Sequence, residues 1–339
     1  MLYHKPVNFD TVIKKGKADK PAVIFVHGLG MDKGIWVSPG ESRILGGSFP
    51  VSVLVSKEPR PQAPINGRGE AITKRLSLGI YPKELSTLFH DLSEEGFTVI
   101  AWSQKRPSAV IDVAVSELSE VLSLHEEHFR SGIVLIGHSR GGLIARRYLS
   151  RGDRRVRCLI TLATPHLGSR MAQWASHLAP LAALLSPLLS DAERGTLTYT
   201  MKKTAEFLTS RAVRELLPGS PFFQSLGDGA LGGVQYLFAG GTHPTLLRVY
   251  RLALMTEGEK ETVTAVRKVF SFPDALRKIV PDRFFPDEMK KGKGDGLVSI
   301  ESSCPPWVRR HRVYEVNHAG ILFDGSVKAD VKDFLNRLT

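Results

Sequence analysis

Cysteine is nearly absent from this chain. Only Cys158 and Cys304 occur in 339 residues, too few for a disulfide framework or for a metal site, which needs more ligands at short spacing. Cys158 lies inside the apolar run Val156-Arg157-Cys158-Leu159-Ile160, which reads as a buried strand, so no structural disulfide is expected. Long apolar runs are missing too. The longest, Leu178 to Leu189, is interrupted by Pro180, Ser186 and Pro187 and is too short to cross a bilayer. The first residues, Met1-Leu2-Tyr3-His4-Lys5-Pro6, lack the apolar core of a signal peptide, and the expected location is the cytoplasm. No internal repeat is visible. Acidic residues are outnumbered: 46 Lys and Arg stand against 34 Asp and Glu, for a formal net charge of +12. Such a balance favours anionic partners. Yet no basic run alternates with exposed aromatics, and the cations are spread along the chain in small clusters such as Arg146-Arg147, Arg154-Arg155 and Lys290-Lys291. They read as a solvated basic surface; no nucleic-acid binding is expected, and peripheral contact with lipid surfaces stays open.

What is present is an ordinary globular balance, 42% hydrophobic and 24% charged residues, enough to bury a large core. The length exceeds that of a usual domain, but α/β enzymes reach it by hanging insertions on one core, so residues 1–339 are expected to form a single unit. Short β-rich runs alternate with segments of helical period. The runs are Val23 to Val26, Thr98 to Trp102, Ile133 to Ile136, Val156 to Ala163, Val234 to Ala239 and Val313 to Val316. Their continuous apolar character suits strands buried on both faces of a mostly parallel sheet. Between them Ile111, Val115, Leu118 and Leu122 share one helical face, Leu143 to Leu149 follows a strand and a glycine turn, and Val327, Val331, Phe334 and Leu338 mark a final helix. The fold class is therefore α/β, with helices on both faces of the sheet.

Three stretches break the alternation. Residues 35–81 are rich in Pro and Gly, with one strand-like run, Val51 to Val55, that would make a hairpin excursion. Residues 170–225 are mostly helix-like and partly apolar. Residues 243–292 are polar, basic and punctuated by prolines. Loops at the carboxyl ends of parallel strands carry binding and catalysis, so the last two are where a substrate cap would grow.

The chemistry centres on Gly137-His138-Ser139-Arg140-Gly141, a G-x-S-x-G pattern entered by a strand and left by an apolar-periodic helix, as a nucleophile elbow requires. The flanking glycines leave room beside a serine on a strained turn. A serine hydroxyl is a poor nucleophile until an imidazole takes its proton. Of eleven histidines, His318 is best placed, after the last strand and before the final helix; His27, His138 and His166 lie within other turns, and His125 and His128 on the exposed end of a helix. The imidazole needs a carboxylate to hold its tautomer. Asp295, in Gly294-Asp295-Gly296-Leu297-Val298-Ser299, follows the strand Val234 to Ala239 and gives the chain order Ser, Asp, His; Asp228, in Gly227-Asp228-Gly229, is the rival and precedes that strand. A developing oxyanion needs two fixed backbone donors. The Arg140 amide is one, and the Leu29 amide, in His27-Gly28-Leu29-Gly30 after the first strand, is the other.

Together these segments, with Ala163-Thr164-Pro165-His166-Leu167-Gly168-Ser169 and Asn317-His318, resemble the α/β-hydrolase family, and within it the bacterial true lipases and related esterases. Five motifs in the family's order span most of the chain; 35–81 and 243–292 have no counterpart. The resemblance implies an α/β-hydrolase fold with helical cap or lid insertions and a carboxylic ester hydrolase of lipid metabolism. It would act on a small-molecule or lipid ester through an acyl-serine intermediate on Ser139, with no cofactor. Leu178 to Leu189 would cap the site and hold an apolar acyl chain. The same acyl-enzyme could instead load an alcohol, making an acyltransferase, and a binding protein on a hydrolase fold is the non-enzymatic alternative. The lipases it resembles carry an aspartate two residues after the catalytic histidine as a calcium ligand. Gly320 stands there, with Asp324 nearby but shifted, so no metal is expected.

Overall fold

The computed structural model describes residues 9–44, 49–62, 72–171, 173, 210–227, 229–257, 260–278, 280–308 and 311–338. The described strands of three residues or more are β1 (Thr11–Lys14), β2 (Ala22–Val26), β3 (Ile72–Ser77), β4 (Val99–Trp102), β5 (Ile133–His138), β6 (Val156–Leu162), β7 (Gln235–Gly241), β8 (Leu247–Glu257), β9 (Lys260–Phe272) and β10 (Arg312–Tyr314). Seven of them form the central sheet in the order β1-β4-β2-β5-β6-β7-β10. All neighbours in it are parallel except β1, which runs antiparallel to β4.

Every residue of β2, β4 and β5 is buried, because successive side chains enter two different cores. Val23, Phe25, Val134, Ile136 and Ile160 pack on one face, and Ile24, Val26, Ile133, Leu135 and Leu159 on the other. Helices α1 (Leu88–Glu94) and α4 (Gly325–Asn336) cover the first face; α2 (Ile111–Leu124) and α3 (Arg140–Leu149) cover the second. The spacing in α2 does what its sequence predicts: Ile111, Val115, Leu118 and Leu122 are all buried. Helix α1 starts at Thr87, whose hydroxyl oxygen accepts from the Phe89 amide and donates to the Trp36 carbonyl, joining a cap to a tertiary tie. Cys158 and Cys304 are free thiols, Cys158 wholly buried on the sheet. No described helix is long and apolar enough to cross a membrane.

The insertions depart from expectation. Val51–Val55 is a 3-10 helix, not a strand. Among the described residues it pairs with no strand, and Val51, Ser52 and Val53 gain burial against the core as a compact turn, so packing overrides the β-propensity of valine. Besides a two-residue antiparallel ladder of Arg43–Ile44 with Phe49–Pro50, the region carries β3, which pairs with β8; β8 in turn forms a long antiparallel hairpin with β9. The two insertions thus meet in one three-stranded sheet. The base of this sheet packs into the main core through Leu247, Val249 and Phe272. The apolar stretch Leu178 to Leu189, and all of 172–209 but residue 173, lie outside the described residues.

Candidate active site

Ser139 sits between the last residue of β5 and the first of α3, with φ 53° and ψ −129°. A residue with a side chain pays for such a backbone, so the turn must be over-determined by its surroundings. It is. The Ser139 amide donates to the Leu162 carbonyl at 2.9 Å, and its carbonyl accepts from the Gly142 amide at 3.0 Å and the Thr164 hydroxyl at 2.9 Å. Gly141 lets the start of α3 press against the end of β2: a Cβ there would stand 2.6 Å from the His27 carbonyl oxygen and closer still to that of Val26. Among the site residues Ser139 is partly exposed, whereas Asp295 and His318 are almost wholly buried.

His318 lies in the loop between β10 and α4. Its Nδ1 is 2.9 Å from Oδ2 of Asp295, and its amide donates to the Asp295 carbonyl at 3.0 Å. The other carboxylate oxygen, Oδ1, accepts from the amides of Leu297 at 2.9 Å and Val298 at 2.7 Å. These bonds fill the acceptor sites of a buried carboxylate and leave Oδ2 for the imidazole. The His318 loop is tied to the elbow by His138, whose Nε2 lies 2.9 Å from the His318 carbonyl, with the two rings 4.9 Å apart. Burial first, and then the neighbouring His318, hold His138 down at about 3, so it is neutral and its Nε2–H donates. Asp228, the rival acid, lies outside the described residues.

Asn317 fixes the loop from the opposite side. Its Nδ2 donates to the carbonyls of Leu54 at 2.7 Å and Thr245 at 2.8 Å, and its Oδ1 accepts from the Gly320 amide at 2.7 Å. Both insertions therefore hold the segment that carries His318. The 163–169 motif braces the Asp295 loop, with the Ser169 hydroxyl on the Leu297 carbonyl at 2.6 Å and the Leu167 amide on the Ser302 hydroxyl at 3.2 Å. Asp324 caps α4 through the amides of Ser326 and Val327.

The expected oxyanion donors flank Ser139. A Cβ on Gly28 would lie 3.0 Å from Cβ of Ser139, so the loop after β2 runs against the elbow. Among the described residues neither the Leu29 nor the Arg140 amide has a hydrogen-bond acceptor. Unpaired amides beside a strained serine are what a transient oxyanion would use. The Arg140 side chain turns away into the protein and is wholly buried. Nη1 donates to Oε1 of Gln104 at 3.0 Å, and Nη2 to the Ala109 carbonyl. Burial pulls its pKa down to about 10, against the fields of Glu215 and Glu117, which leaves it charged at neutral pH.

The sequence points to Ser139, Asp295, His318, Leu29 and Arg140 as candidates, and the structure brings the loops that carry them together at the carboxyl ends of β2, β5, β7 and β10. It passed over His138 and Gln104. His138 is inside the elbow motif but looks there like a filler residue, and Gln104 is a single amide in a loop with no pattern around it.

The family model of palmitoyl protein thioesterases matches residues 83–212, well under half of the chain. No curated protein matches. Among solved structures, the mature form of the lipase BlEst2 from Bacillus licheniformis is similar at a TM-score of 0.52 and 16% identity, over 96% of this chain and 97% of that one. The propeptide form of the same lipase gives 0.50 and 16%, over 96% of this chain and 53% of that one. A thermophilic esterase from Thermogutta terrifontis gives 0.42 and 13%, over 97% and 93%. With this sheet order, this elbow and the likeness to the solved lipase structure, the chain carries the α/β-hydrolase fold.

Proposed function

We propose that this protein is a serine hydrolase of carboxylic esters, with Ser139, His318 and Asp295 as its catalytic triad and the amides of Leu29 and Arg140 as its oxyanion hole. The observation that carries the reading is the Asp295–His318 pair. The carboxylate spends one oxygen on two amides and gives the other to Nδ1 of a buried imidazole whose loop is bonded to the residue before Ser139. A purely structural histidine has no need of that arrangement.

Nε2 of His318 takes the Ser139 proton as Oγ attacks the acyl carbonyl. The carbonyl oxygen gains the negative charge and meets the two amides; on collapse, the proton on Nε2 passes to the leaving alkoxide. Water then repeats the sequence, giving up a proton to His318 and releasing the acid from the acyl-serine. Asp295 keeps the proton on Nδ1, so that Nε2 is free to act as base.

The apolar segment from 178 to 189 favours acyl esters with an apolar chain over small polar ones. Residues 170–225 are proposed as the cap, and 35–81 and 243–292 as insertions that brace the His318 loop. The thioesterase match favours a second substrate class, long-chain acyl thioesters, cleaved by the same acyl-serine chemistry. The test is a series of p-nitrophenyl esters graded by chain length beside an acyl-coenzyme A series, each run with wild type and Ser139→Ala. The reading expects turnover that rises with acyl length and vanishes in Ser139→Ala; turnover unaffected by that substitution would overturn it.

A further inference from the structure

We propose that Gln104 is a positioning residue that sets both oxyanion donors at once, holding the Leu29 amide through His27 and the Arg140 amide through the Arg140 guanidinium. The inference rests on the serine-hydrolase reading above and adds to it the device that keeps the hole formed in the free enzyme.

The donor and acceptor roles in this cluster follow one from another. A guanidinium can only donate, so the atom of Gln104 at 3.0 Å from Nη1 of Arg140 is its carbonyl oxygen, Oε1. That fixes the amide group, and its Nε2 donates to the main-chain carbonyl of His27 at 3.2 Å. The backbone amide of Gln104 donates to Nε2 of His27 at 3.0 Å. A ring nitrogen that accepts carries no proton, so the proton of the neutral imidazole is on Nδ1. Burial keeps the ring neutral, with its pKa lowered to about 4. Nδ1–H therefore donates to the Gly28 carbonyl, 2.9 Å away. Nε2 of Gln104, at 3.4 Å from the same Nδ1, is a second donor and makes no bond to it.

The last link is the peptide plane. Phe272–Pro273 is the one cis bond among the described residues, so the Gly28–Leu29 peptide is trans, and its C=O and N–H point in opposite directions. Pulling the Gly28 carbonyl onto the His27 ring turns the Leu29 N–H away from it. That N–H is left without an acceptor in a loop that touches Ser139. On the elbow side, the Arg140 guanidinium anchors the first residue of α3, whose own amide is also unpaired. A single residue, 6% exposed, thus spans the loop after β2 and the start of α3, its backbone amide on the His27 ring and its side chain between the His27 carbonyl and the Arg140 guanidinium. A preorganised hole spares the reaction the cost of turning these dipoles as charge develops.

The test compares wild type, Gln104→Leu, Gln104→Glu and Ser139→Ala. The readouts are kcat and KM on a p-nitrophenyl ester, the inhibition constant of an alkyl trifluoromethyl ketone, which adds to a serine as a tetrahedral oxyanion, and the thermal midpoint. Gln104→Leu should lose about 10- to 100-fold in kcat, short of the 10²–10³ for outright loss of one donor, with a parallel loss of ketone affinity and little change in KM. Gln104→Glu is nearly isosteric. It keeps the acceptor for Arg140 but loses the donor to the His27 carbonyl, so it should fall between wild type and Gln104→Leu; where Gln104→Leu does not fold, it reads the same split. A folded variant with kcat and ketone affinity of wild type, or one that loses KM and kcat alike with ketone binding intact, overturns the role of Gln104. A wild type without esterase activity, or activity that survives Ser139→Ala, defeats the serine-hydrolase reading instead.

Discussion

Replacing Asp295 by asparagine leaves the shape of the site intact and should nearly abolish turnover. The geometry decides how the new amide sits. Oδ1 of Asp295 accepts from two backbone amides, Leu297 at 2.9 Å and Val298 at 2.7 Å, and an NH₂ group placed there would face two donors with none to accept. Each buried amide left unpaired costs about 1–3 kcal/mol. The asparagine carbonyl therefore takes the Oδ1 position, and its NH₂ falls where Oδ2 stood, 2.9 Å from Nδ1 of His318. A donor now faces the ring. The imidazole must accept at Nδ1, which moves its proton to Nε2, the atom that has to receive the Ser139 proton. A base in the wrong tautomer costs about 10⁴ in turnover in other triads, and the same loss is expected here. The assay is kcat on a p-nitrophenyl ester for wild type and Asp295→Asn, with circular dichroism and the thermal midpoint to show that both are folded. A folded Asp295→Asn within about tenfold of wild type would refute the assignment of the acid. Asp228→Asn then becomes the variant to measure.

Other outcomes follow from the packing and the buried histidines. Gly141→Ala should cost about 1–3 kcal/mol in urea unfolding, as overpacking does. It should lower kcat as well, because the new methyl group meets the main-chain carbonyls of Val26 and His27 rather than a flexible side chain. Acid should destabilise the protein. Burial holds His27 at about 4 and His138 at about 3, below the ordinary 6.5. The unfolded chain therefore takes up protons first, and stability present above pH 6.5 is lost as the pH falls towards 4, by about 3 kcal/mol for each ring. Urea midpoints at pH 7 and pH 5 measure this; equal midpoints would contradict the buried, neutral state of both rings. Exhaustive treatment with EDTA should leave esterase rate and thermal midpoint unchanged, since Gly320 offers no side-chain ligand and Oδ1 of Asp324 is engaged in capping α4. A midpoint that drops by several degrees and is restored by calcium would show that another ligand set binds the ion.

The parts of the molecule legible in the sequence are those whose physics is local. Strands such as β2 and β5 are apolar throughout because both of their faces are covered, and that pattern needs no knowledge of partners. The elbow is legible because a serine at positive φ demands glycine around it. β1 was not seen: Thr11–Lys14 is a half-buried edge strand of four residues whose place is set by pairing with β4. Nor was the three-stranded sheet. β3, with its Lys74 and Arg75, pairs with Leu252 and Ala253 far along the chain, and nothing within either segment announces the other. In the candidate site, the proposed triad can be ordered from its motifs, whereas the contacts of Gln104, His138 and Asn317 depend on atoms brought together across the fold.

The central claim is that one serine, Ser139, is activated. Incubation with a fluorophosphonate, followed by intact mass and peptide mapping, tests it most directly. The account expects one adduct per chain, on the peptide that contains Ser139, none in Ser139→Ala, and loss of esterase activity in step with labelling, since removal of the nucleophile in comparable triads costs about 10⁶ in turnover. Labelling at another residue, or full esterase activity in the completely labelled protein, would contradict it.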